Sequence, residues 1–66
     1  MTTRVWSKKE TQNCIRQLRA QGVPVTKVSD GRYKVSLKDG TTLWEALRGS
    51  QGYLVRYVDD FFMGGV

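Results

Sequence analysis

Sixty-six residues with a single cysteine and no histidine exclude an internal disulfide, the usual zinc sites and any nucleophile activated by imidazole. The length suits one small domain over residues 1–66, with little room for a deep catalytic pocket. Charge is divided along the chain: residues 1–38 carry nine Lys/Arg against two acids, a net +7, whereas residues 39–66 carry two against four, a net −2. Concentrated positive charge raises the local density of polyanions, so nucleic acid or an acidic protein surface is the expected class of partner.

The 39% of hydrophobic residues, two Trp among them, can build a modest core and argues against wholesale disorder. No stretch approaches the roughly 18 consecutive apolar residues of a membrane span, and the first residues lack the apolar run of a signal peptide. A reducing cytoplasm is therefore the expected location, with no membrane partner. Cys14 reads as a small buried hydrophobe.

In chain order, the first predicted element is a helix. Ser7 followed three residues later by Glu10 makes a capping box, which satisfies two orphan backbone donors and sets a carboxylate at the positive helix end. Thr11, Cys14, Ile15 and Leu18 recur at helical spacing as a buried stripe. Lys8, Gln12, Arg16 and Arg19 fall on an adjacent stripe that stays in water. That basic stripe is either an ordinary solvated face or an edge that tracks phosphates. Gly22 is the natural stop, and Pro24 prevents continuation.

Asp30-Gly31, between Val23–Ser29 and Arg32–Leu37, suits a two-residue hairpin turn. In that register Val28 faces Tyr33, Thr26 faces Val35, and Lys27 stands opposite Lys34, a like-charge pairing that an external anion would relieve. Residues 42–48 read as a short helix capped by Thr42 and Glu45, or as a strand. The strand reading gains support from the segment after it. With Gly49-Ser50-Gln51-Gly52 as a loop, the opposed pairs are Arg48–Tyr53, Leu47–Leu54, Ala46–Val55, Glu45–Arg56, Trp44–Tyr57 and Leu43–Val58, all of them compatible.

A three-residue Lys38-Asp39-Gly40 loop then joins the hairpins and puts Tyr33, Val35, Leu37, Leu43, Leu47, Leu54 and Val58 on one side, ready to receive the helix. The other side gathers Lys27, Arg32, Lys34, Trp44, Arg48, Tyr53 and Tyr57, a basic and aromatic face of the kind on which bases stack and phosphates pair. This register leaves Glu45 and Arg56 on the covered side. A two-residue Asp39-Gly40 loop would instead bring Trp44 and Tyr57 into the core and expose Leu43 and Leu47. Large aromatics pack more often than they bind, so both registers stay open.

Near the end, Leu54-Val55-Arg56-Tyr57-Val58-Asp59-Asp60-Phe61 resembles the Tyr-x-Asp-Asp active-site segment of reverse transcriptases. That chemistry also needs a further carboxylate, a primer-template cleft and a nucleotide pocket, so no catalytic role is carried to Asp59 or Asp60. A turn is the simpler account. Phe61, Phe62 and Met63 are expected either to fold over the core or to form an apolar contact with a partner or a second copy, with residues 63–66 as a flexible tail.

The fold expected is thus α+β, one N-terminal helix on a small antiparallel meander of three to four strands. The leading function is a basic, non-enzymatic accessory protein that binds single-stranded or structured nucleic acid through the sheet face, flanked by Lys8, Arg16 and Arg19. The alternative is a small regulator or inhibitor, of the kind phages and mobile elements encode, that binds a host protein such as a nucleic-acid-processing enzyme. No catalytic residue, metal ligand or cofactor is assigned.

Overall fold

A computed structural model describes residues 2–61. The chain forms β1 (Thr2–Trp6), α1 (Lys8–Ala20), β2 (Thr26–Ser29), β3 (Arg32–Ser36), β4 (Thr42–Gly49) and β5 (Gly52–Tyr57). The strands make one antiparallel sheet in the order β1-β5-β4-β3-β2. With three strands between them, the edges β1 and β2 run in the same direction, and α1 carries the chain from one edge to the other. The α+β class holds with five strands; β1, rich in strand formers at Thr2, Thr3, Val5 and Trp6, was not among the expected elements. Residues 42–48 are strand, so the alternative second helix does not form. The expected tail at 63–66, together with Phe62 and Met63, lies outside the described residues.

The helix obeys its sequence signals closely. Glu10 donates its backbone N–H to the Ser7 hydroxyl at 3.1 Å, while the Ser7 N–H reaches the Glu10 carboxylate at 3.3 Å. Thr11, Cys14, Ile15 and Leu18 are the buried stripe. A buried threonine is tolerated because its hydroxyl donates to the Ser7 carbonyl at 3.0 Å. At the other end Val23 N–H bonds the Leu18 carbonyl at 2.9 Å and Gly22 N–H bonds that of Arg19 at 3.0 Å, with Gly22 at φ 84°. These are the two bonds of a Schellman stop, which needs a left-handed residue where Gly22 stands.

The turns form where expected, and the first two connections between strands, β2–β3 and β3–β4, each carry a one-residue bulge that changes which side chains face the helix. In the first hairpin Ser29 pairs with Arg32, but Lys27 pairs with Tyr33 and Thr26 with Lys34, leaving Val28 as the extra residue. Lys27 and Lys34 therefore do not oppose each other: Lys27 shares the helix side with Tyr33, and Lys34 faces the open side. The like-charge conflict is removed inside the chain, with no anion required. In the next connection Leu37 N–H bonds the Thr41 carbonyl at 2.8 Å around the three-residue loop, and Ser36 pairs with Thr42. Asp39 steadies that loop by accepting the Thr41 N–H at 2.8 Å, which holds its carboxyl below the ordinary range. Val35 then pairs with Trp44, so Leu43 is the second bulge.

The second bulge reverses the expected faces. Five of the six pairs expected between β4 and β5 are present as a ladder, and Val58 N–H donates to the Leu43 carbonyl at 2.9 Å at the sixth. The helix, however, covers Trp44, Ala46, Tyr53, Val55 and Tyr57, all buried, while Leu47 and Leu54 face away from it. Two terms favour this register. Large rings bury about 150–250 Å² each, more than the leucines they replace, and Glu45 and Arg56 move to the solvent side, avoiding a buried ion pair.

Trp6 completes the core beside Tyr57, with ring centroids 5.8 Å apart and planes tilted by 40°. Ile15, Val25 and Val35 join the same cluster, and Phe61 packs against it. Residues Asp59 to Phe61 form a turn, in which Phe61 N–H bonds the Val58 carbonyl at 2.9 Å and the Thr2 hydroxyl donates to Asp59.

Candidate nucleic-acid interface

The basic and aromatic sheet face expected from the sequence is not assembled. Trp44 has 0% of its surface exposed, Tyr53 6% and Tyr57 7%, so these three rings are core and offer no stacking platform. Arg48 shares their side of the sheet at the end of β4. Its backbone N–H bonds the Gly31 carbonyl at 2.8 Å, so it ties the first hairpin's turn to β4. Arg32 and Lys34 lie on the opposite, open side of the sheet.

On that open side, Glu45 is flanked by Arg32 at 3.5 Å and Arg56 at 3.8 Å. One carboxylate thus partly compensates two guanidinium groups, with Lys34 directly across the ladder. Beside this charged row runs an apolar one, Val5–Leu54–Leu47, contributed by three adjacent strands.

Several cations outside these pairs lie on the helix side. Gln12, Arg16 and Arg19 wall an open trough of about 300 Å³, whose floor is Ile15 of the helix and Tyr33 of β3. Lys27 stands beside Tyr33 across the ladder, and Lys8 extends the arginine stripe toward the start of the helix. The trough exists because β2 is exposed along its whole length, so α1 does not roof the β2–β3 margin of the sheet. One guanidinium there is held in place: Arg19 donates to the Val25 carbonyl at 3.3 Å.

Among the described residues every ion pair involves Glu45. Other acids have local tasks: Glu10 caps the helix, Asp39 braces its loop and Asp59 receives the Thr2 hydroxyl. Arg16, Arg19, Lys8 and Lys27 thus form no ion pair among the described residues. Of the expected site residues the fold sets Arg16 and Arg19 on one trough, with Lys27 beside its Tyr33 and Lys8 further along the same helix stripe; it puts Arg32 and Lys34 on the opposite side of the sheet, leaves Arg48 at the end of β4, and buries the three rings. Tyr33, read from the sequence as core, is the aromatic residue that faces the cations; only knowledge of the Val28 bulge would have placed it next to Lys27.

Among the described residues no cluster of acids and cysteine is arranged to hold a metal ion. Burial pushes the Cys14 thiol up to about 11, which disfavours the thiolate needed of a nucleophile. No described helix is long and apolar enough to cross a membrane.

Fold and surface together define a two-layer α+β protein, with one helix on a five-stranded antiparallel sheet and Lys8, Arg16 and Arg19 along one helix edge. Compared with protein families, curated proteins and solved structures, the chain matches none.

Proposed function

We propose that this chain is a small, non-enzymatic, cytoplasmic protein that binds nucleic acid along the helix side, through Arg16, Arg19, Lys27 and Lys8. The observation that carries the reading is the trough lined by both arginines and Tyr33, with no acid among the described residues that line it or pair with them. Polyanion binding by such a patch is driven largely by counterion release, so it weakens steeply with salt. The contact is made by the helix edge, since the rings that a sheet-face contact would need are in the core.

Retention of a short labelled oligonucleotide, measured against salt, tests this. Affinity is expected to fall by about 0.7 log units per tenfold salt for each single-strand phosphate neutralised. Arg16→Gln with Arg19→Gln should weaken binding and flatten that slope, whereas Arg32→Gln with Lys34→Gln should leave the slope close to wild type. Salt-insensitive retention, or none, would end the proposal.

A second reading is favoured by one specific feature. On the open face Val5 is 63% and Leu54 41% exposed, in a row with Leu47 and next to an excess of cations. Apolar anchors rimmed by basic groups suit a regulator or inhibitor docking on an acidic protein surface. Its distinguishing result is a stoichiometric, nuclease-resistant complex that Val5→Asp disrupts and the Arg16/Arg19 pair of substitutions does not.

A further inference from the structure

Trp6, Trp44, Tyr53 and Tyr57 are buried, but Tyr33 is only half-buried, on the floor of the helix-side trough. A site for bare phosphate needs cations alone. Here the cations stand on the walls, and the floor is an aromatic ring and the edge of an isoleucine. That division matches a nucleotide, with a flat, weakly polar base and a charged phosphate. A base held in a duplex cannot reach such a floor, because its faces are already stacked, whereas an unpaired base can be splayed onto a ring.

We infer that the trough seats one unpaired nucleotide, its base against Tyr33 and Ile15 and its phosphate between Arg16, Arg19 and Lys27, so that single strands are preferred to duplex. This rests on the nucleic-acid reading above and adds to it the state of the polymer and the residue that senses it. Arg19 is already restrained by its bond to the Val25 carbonyl, and a guanidinium has further N–H donors to offer. Ordering it on a phosphate therefore costs less side-chain freedom than ordering an unrestrained arginine.

The decisive probe is a strand that keeps its phosphates and lacks its bases. Fluorescence anisotropy of the full chain with a labelled oligothymidylate, competed by unlabelled oligothymidylate, an abasic strand of equal length, the matching duplex and polyglutamate, separates stacking from charge. The intact strand should compete about 5- to 150-fold better than the abasic one, the range expected for one stacked base. Tyr33→Leu should reduce that ratio toward one and Tyr33→Phe should preserve it, with circular dichroism confirming that both variants are folded. Arg16→Gln should weaken intact and abasic strands together, leaving the ratio unchanged.

Equal competition by intact and abasic strands in the wild-type chain would overturn the inference while leaving phosphate binding standing, and it does so whether or not the Tyr33 variants fold. Competition by duplex or polyglutamate as effective as by the intact strand would overturn it as well. Absence of binding to any strand would remove both the inference and the function on which it rests.

Discussion

Gly52 lies directly against the main chain of Trp6, so that a β-carbon at position 52 would overlap the Trp6 carbonyl oxygen. The glycine also holds φ 131°, a conformation that L side chains rarely adopt. Close approach and backbone geometry coincide where β5 leaves its turn and β1 ends. Gly52→Ala should therefore destabilise the fold by about 2 kcal/mol or more, from strain and overpacking combined. Urea denaturation measures this; an alanine variant within about 0.5 kcal/mol of wild type would mean that the Trp6–Gly52 contact is looser than described.

Both described tryptophans are core residues, Trp6 with 5% and Trp44 with 0% of its surface exposed. Their emission should be blue-shifted and poorly quenched by iodide. Saturating oligonucleotide should leave it nearly unchanged, although binding is detected by anisotropy. Strong quenching on binding would place a base against an indole and contradict the helix-edge contact.

Glu45 divides its carboxylate between Arg32 and Arg56, both about half exposed. Pairs of this kind contribute little, and Glu45→Gln should cost less than about 1 kcal/mol for each pair lost. Since the open face then becomes more positive, oligonucleotide affinity should stay level or rise slightly through the general field, with the Arg16/Arg19 dependence intact. A fall in affinity would show that the open face, with Glu45 itself, makes the contact.

Cys14 predicts a pH dependence. Its thiol is raised from 9.0 to about 11 by burial, so between those values the unfolded chain loses a proton that the folded chain retains. The stabilising contribution is complete below pH 9 and is lost as pH rises through about 11. Stability should fall more steeply over that window in the wild type than in Cys14→Ala, and Ellman's reagent should react only after denaturant is added. Equal slopes, or rapid labelling of the native protein, would contradict the buried thiol.

Much of this architecture was legible from local sequence. Ser7 with Glu10, the stripe from Thr11 to Leu18, Gly22, and the pairing of β4 with β5 all rest on short-range chemistry, and the structure has each of them. The faces of the sheet were less accessible. Each strand alternates with a period of two, so one extra residue at Val28 and another at Leu43 exchange inside and outside for the residues beyond them. No turn residue marks either bulge. What favours the Leu43 bulge is a sum over the whole layer, the burial of Trp44 and Tyr57 together with the release of Glu45 and Arg56. The site inherited that difficulty: its helical half, Lys8, Arg16 and Arg19, was readable from spacing, and its sheet half, Tyr33 beside Lys27, was not. β1 was missed because its neighbour in space, β5, lies at the far end of the sequence.

That last pairing constrains how the protein comes into being. Thr2 stands opposite Tyr57 and Trp6 opposite Tyr53, so β1 stays unmatched until β5, about fifty residues further along the chain, has been synthesised. The helix can form on the ribosome, but the sheet margin that receives Trp6 cannot. Until β5 is available β1 has no strand to pair with, and the layer cannot close around Trp6.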